Sequence, residues 1–103
     1  MESVTTLAAR AGLRPRAIGG LLLFDADAAR LFLQECRSSG TRVLGVEGFR
    51  VSGADVTPWV DAISDLSTIP DPAVSVAEAA RFLDEMAGEG LEFDFTVTDE
   101  TSP

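Results

Sequence analysis

Three features of this chain predict an α+β sandwich. An unbroken apolar run occupies residues 17–24, two stretches of helical periodicity each end at glycine, and residues 91–97 alternate strictly between apolar and polar. With 103 residues there is one hydrophobic core to build, because single domains run to roughly 100–150 residues.

Residues 2–12 read as a short helix, with Leu7, Ala8 and Ala11 on one side and Gly12 as its stop, before a link through Pro15. The chain therefore divides into an N-terminal helical extension at 1–16, a domain at 17–97 and a flexible tail at 98–103. The run AIGGLLLF at 17–24 has no helical gaps and suits a buried strand, although periodicity alone does not separate it from a buried helix. Asp25 is placed to cap the helix that follows. Its apolar positions Ala28, Leu31, Phe32 and Cys36 recur at helical spacing until Ser38, Ser39 and Gly40 end it.

Residues 41–51 are rich in Val and stop at Ser52-Gly53, a turn signal that calls for a hairpin partner beginning with a short strand near 54–56. Residues 57–67 stay open between helix and strand. Thr57-Pro58 is a good helix start and Trp59, Ile63 and Leu66 share a helical face, yet the hairpin asks for extended chain. Pro70 and Pro72 mark a loop. Ser75-x-x-Glu78 then has the form of a capping box, opening a helix with Val76, Ala79, Leu83 and Met86 inward and Gly88 at its close. In the last segment Leu91, Phe93, Phe95 and Val97 face one way and Glu92, Asp94 and Thr96 the other, as in a strand with one wet face. The order β-α-β-β-α-β matches the split β-α-β arrangement of ferredoxin-like sandwiches: an antiparallel-containing sheet, two helices on one face, and the short N-terminal helix ahead of them.

The chain contains no histidine, which removes Ser-His-Asp and Cys-His nucleophiles and the commonest metal ligand together. Its one cysteine, Cys36, has no internal disulfide partner and reads as a small buried hydrophobe. Gly45-x-x-Gly48 lacks the further glycines or lysine of a phosphate loop, so these glycines fit a bulge or a close approach of a helix. The carboxylate pairs Asp25/Asp27 and Asp61/Asp65 do not have calcium-loop spacing. The expectation is a protein with no catalytic residues, no metal and no cofactor. No apolar run approaches the roughly 18 residues of a membrane span and the N-terminus lacks a signal pattern, so a cytoplasmic protein without a membrane partner is expected.

Charge separates the halves. Residues 1–50 hold seven arginines and five acids, and residues 51–103 one arginine and twelve acids, for a net charge of −9. That imbalance opposes nucleic acid and favours a basic protein as partner, with simple solubility as the plainer account. The candidate contacts are Glu92 and Asp94 on the outer face of the last strand, Asp61 and Asp65, and Trp59, which is either ordinary core or a partner-facing anchor. Glu47 joins them. It interrupts an apolar strand, so it lies on the wet face or is a partly buried acid paired with Arg42 or Arg50.

Two rivals come from other classes. Residues 5–22 carry the Ala8/Gly12 and Ile18/Leu21 spacing of a helix-turn-helix DNA-binding regulator, with Arg10, Arg14 and Arg16 for phosphates, but Gly19-Gly20 and the apolar run leave few side chains to read bases. A small-ligand-binding ferredoxin-like domain working through carboxylates would show a deep pocket around Glu47.

The string Arg42-Val43-Leu44-Gly45-Val46-Glu47-Gly48-Phe49, the segment Asp61-Ala62-Ile63-Ser64-Asp65-Leu66-Ser67, the Ser75–Met86 helix and the acidic final strand together resemble small immunity proteins of bacterial polymorphic toxin systems. The resemblance covers about residues 17–97. It implies a cytoplasmic inhibitor that neutralises a cognate toxin by occluding its active site or a nearby surface. Toxin-contacting residues do not carry over within that diverse group.

Overall fold

Capping side chains set both long helices in a computed structural model that describes residues 3–98. After helix α1 (Val4–Arg10) and two short strands, β1 (Arg16–Ile18) and β2 (Leu21–Leu23), the Asp25 carboxylate accepts from the Ala28 N–H and starts α2 (Ala26–Ser39). Strands β3 (Arg42–Ser52) and β4 (Asp55–Asp65) follow, then α3 (Pro72–Glu85) and β5 (Glu92–Thr98). Asp71, not Ser75, caps α3, accepting from the Val74 N–H with Pro72 at the first helical turn. Ser75 lies one turn inside, fully buried. Its hydroxyl donates to the Pro72 carbonyl at 2.8 Å and accepts the Val43 N–H at 3.0 Å, tying α3 to β3.

The apolar run at 17–24 is a hairpin and not one strand. Gly19 (φ +57°) and Gly20 (φ +83°) occupy the two turn positions where only glycine is unstrained, so the chain reverses in the middle of the run. The undecided segment 57–67 is strand through Asp65, because the register is set by pairing with β3. Glu47 pairs with Ile63 and Phe49 with Pro58, so two steps along β3 are matched by five along β4, and residues 59–62 bulge.

The molecule is a small α+β fold with two antiparallel sheets flanked by helices: β1-β2, and β4-β3-β5. Phe24, just after β2, joins them through an isolated antiparallel bridge to Phe93, with hydrogen bonds of 2.9 and 2.7 Å. Strands β2 and β3, linked by α2, thus run parallel with β5 between them. Strands β4 and β5, linked by α3, run parallel with β3 between them. Two split β-α-β units interleave, as the element order predicts.

Both long helices cover one face of the sheet. The core joins Phe32 and Cys36 of α2, Val76, Phe82 and Leu83 of α3, and Val43, Val46, Phe93 and Phe95 of the sheet. Phe24, Phe32 and Phe95 form an aromatic cluster with centroids 4.7–5.5 Å apart. A Cβ on Gly48 would stand 2.8 Å from that of Ala62, so glycine here permits the sheet to close on its core. Helix α1 is no appendage: Leu7 is 0% exposed and, with Ala8, belongs to this core. The expected boundary after residue 16 also cuts β1, whose Arg16 pairs with Leu23. At the other end Thr98 is the last residue of β5, and the rest of the expected tail lies outside the described residues.

Candidate functional site

Residues opposite one another in antiparallel strands point to the same side of a sheet, and neighbours along a strand point to opposite sides. Gly48 and Phe93 face the helices, so Glu47 and Asp94 face away, and they pair with each other across β3 and β5. Ile63 pairs with Glu47 from the other side. These residues, with Leu44, Asp65 and Thr96, line a shallow groove of about 470 Å³ on the helix-free face.

The structure therefore gathers three of the six expected partner contacts, Glu47, Asp65 and Asp94, into one acidic groove. Ile63, which the sequence reading placed only on a possible helix face, supplies the groove's exposed apolar surface at 57% exposure. Its role becomes visible only once the bulge at 59–62 fixes the register.

The remaining three lie elsewhere. Glu92 is on the same face but half-buried, its carboxylate 3.2 Å from the Arg16 guanidinium. Asp61 is exposed on the bulge. Trp59 is half-buried against the core, with the Arg50 guanidinium 4.3 Å from its ring centroid. Arg50 is further held by the Glu89 carbonyl at 3.0 Å and carboxylate at 3.6 Å, and Arg42 donates to the Ser67 carbonyl at 2.6 Å. Neither arginine pairs with Glu47, which takes the first of its two expected places, on the face away from the helices. Glu92 and Asp94 both point away from the core, as the alternation predicts, but they are not freely open to a partner: Arg16 of the β1–β2 hairpin pairs with Glu92, and Leu22 lies against Asp94.

The acids of the groove differ in their surroundings. Burial pushes the Asp94 carboxyl above its ordinary value; a hydrogen bond from the Leu22 backbone N–H opposes this and the nearby Glu47 charge adds to it. Asp65 is held below its ordinary value by the Ser67 hydroxyl at 2.6 Å and the Ser67 N–H at 3.0 Å. Cys36 is buried and free, its thiol pushed up to about 12 by burial and by Glu35, which disfavours the thiolate.

A second groove, of about 330 Å³, runs between α2 and α3 over Leu33, Val76, Ala77 and Ala80, and Arg30 on its rim is bonded to Asp84 at 2.7 Å. It brings no acidic or nucleophilic set together. Among the described residues no group of three or more Cys, Asp or Glu is arranged to hold a metal ion, and no helix is long and apolar enough to cross a membrane. The helix-turn-helix reading of residues 5–22 fails on geometry, since the would-be recognition helix is the β1–β2 hairpin. Around Glu47 there is a shallow groove on a sheet face in place of the deep pocket a small-ligand domain would show.

No family model matches the chain, and no curated protein or solved structure is significantly similar to it.

Proposed function

We propose that this chain is a non-enzymatic binding protein whose helix-free sheet face receives a basic protein, and that it acts as a cytoplasmic inhibitor of immunity type, neutralising a cognate bacterial toxin. One observation carries the reading. Glu47, Asp65 and Asp94 converge on one groove beside exposed Ile63, and none of the three is in an ion pair among the described residues. Elsewhere Glu35, Glu78, Asp84, Glu89 and Glu92 each meet an arginine, and the acids without an ion pair among the described residues, such as Asp27, Asp55, Asp61 and Glu85, are exposed and not gathered in a groove.

A half-buried carboxylate beside a second carboxylate is a poor charge to hold alone. A guanidinium or ammonium from a partner relieves both the desolvation of Asp94 and its repulsion with Glu47, and so gains more here than against a solvated acid. The net charge of −9 steers a basic partner toward the molecule before contact. Ile63 and Leu44 supply apolar surface once the charges have aligned. Inhibition then needs no chemistry, only a bound domain lying across the toxin's active site or beside it.

Co-expression with the polypeptide encoded immediately upstream tests the proposal. That polypeptide alone should arrest growth, the native chain should restore it, and a Glu47→Lys/Asp94→Lys variant with a native-like melt should restore it poorly. A harmless neighbour, or full rescue by the reversed variant, contradicts it.

A further inference from the structure

We propose that Arg16 and the β1–β2 hairpin form an autoinhibitory strap, which occupies part of the acidic face and which a basic partner must displace. The inference rests on reading that face as the site for a basic protein.

The hairpin's strands are three residues each and pair with one another. Buried Leu23 and a few links at the hairpin's edge hold it to the main sheet. Phe24, just beyond β2, makes the two backbone hydrogen bonds to Phe93. The Arg16 guanidinium reaches Glu92 at 3.2 Å. The Leu22 backbone N–H lies against the Asp94 carboxylate and favours its charged form. Two of these links end on carboxylates, and both belong to the helix-free side of β5. The hairpin thus pairs Glu92 and lies against Asp94 of the groove, on the face that a cationic partner would seek.

The strap is also light. Arg16, Ala17, Gly19 and Gly20 are exposed, Ile18, Leu21 and Leu22 are half-buried, and Leu23 alone of its strand residues is buried. Segments with few buried apolar contacts open at low cost. A guanidinium that remains half-exposed holds its acid weakly, so a partner's arginine competes with it on favourable terms. Linkage makes the coupling reciprocal: whatever loosens the strap strengthens partner binding, and a bound partner loosens the strap.

The experiment compares Arg16→Gln with Arg14→Gln. Arg14 is exposed two residues earlier, lines the same small pocket beside Glu92 and makes no ion pair among the described residues, so its replacement removes the same charge from the same place without breaking the Arg16–Glu92 pair. A nona-arginine peptide serves as the basic probe, and amide exchange at Leu22 is followed in the peptide-free protein. Arg16→Gln should speed exchange at Leu22 and tighten peptide binding roughly two- to fivefold beyond Arg14→Gln, the gain expected from freeing a half-exposed pair. Equal peptide affinities for the two variants, or unchanged exchange at Leu22, overturn the strap. A peptide that binds no variant overturns the basic-partner reading and the competition with it, whereas equal tight binding by both variants overturns the competition alone.

Discussion

The two faces of the three-stranded sheet are drawn from alternate residues of the same strands, yet they obey different constraints. On the covered side Phe93, Phe95 and Val46 are buried against two helices, and even a methyl group on Gly48 has no room. On the other side Glu47, Asp94 and Ile63 border a groove that no helix fills. Packing dictates the first set. The second contributes little to packing, and one of its members, Asp94, is held against its own preference for solvent. A half-buried acid beside another acid and an exposed isoleucine is the contrast on which the proposal of a partner at this face rests.

The sharpest way to break this contrast is to mutate across it. Phe93→Ala should cost about 3–5 kcal/mol in urea unfolding, as large buried aromatics do when truncated. Ile63→Ala on the opposite face should stay within about 0.5 kcal/mol. Comparable losses would mean that the helix-free face is structural after all.

Next in size is the N-terminal helix. Leu7→Ala should cost about 2–5 kcal/mol, and a chain beginning at Ala17 should lose cooperative thermal unfolding, because both remove core and the second also breaks β1. A truncated chain that melts like the full one would return α1 to the status of an extension. A smaller effect attaches to Ser75→Ala, which strands the buried Val43 N–H and should cost about 1–3 kcal/mol by denaturant titration.

The smallest effects are electrostatic and have opposite signs. The Asp94 carboxyl titrates above its ordinary value of 3.8 in the folded chain, so the folded state binds more protons than the unfolded state just above that pH. Stability attributable to Asp94 therefore falls as pH rises through that window and stays lower beyond it. Asp94→Asn, which keeps an oxygen for the Leu22 N–H, should raise the melting temperature at neutral pH and lose its advantage in acid. Asp65 is lowered, so its contribution is present above 3.8 and lost as pH falls through its folded value; Asp65→Asn should lower the melt at neutral pH and match the native chain in acid. Melting curves of the two variants across pH would show the signs, and curves that move together would remove the distinction between these acids.

Much of the covered face is legible in the sequence. Helix α2 is announced by its Asp25 cap, its apolar spacing and Gly40, and β5 by its alternation, because burial against a layer imposes a period on the chain. What escaped depends on contacts distant in sequence. Gly19-Gly20 is itself a hairpin signal, but it sits inside an apolar run whose length masked it. Asp71 outcompeted Ser75 for the cap because the Ser75 hydroxyl is claimed by β3, which sequence spacing does not reveal. The groove was half legible: Glu47, Asp65 and Asp94 each stood out as acids in strand-like segments, while Ile63 joined them only through the register that the bulge creates. The sequence offers Arg16 for phosphate contacts, and its pairing with Glu92 follows only from the hairpin.

The central claim is that the helix-free face, and not the protein's acidity at large, receives a basic partner. Amide shift mapping by NMR with the nona-arginine peptide at physiological salt tests it most directly, since α3 and its C-terminal loop carry acids of their own at Glu78, Asp84, Glu85 and Glu89. Shifts centred on Glu47, Ile63, Asp65 and Asp94, abolished by Glu47→Gln/Asp94→Asn, are the expected result. Shifts spread over α3 and the Glu89 loop, or a pattern that the double variant leaves unchanged, would contradict it.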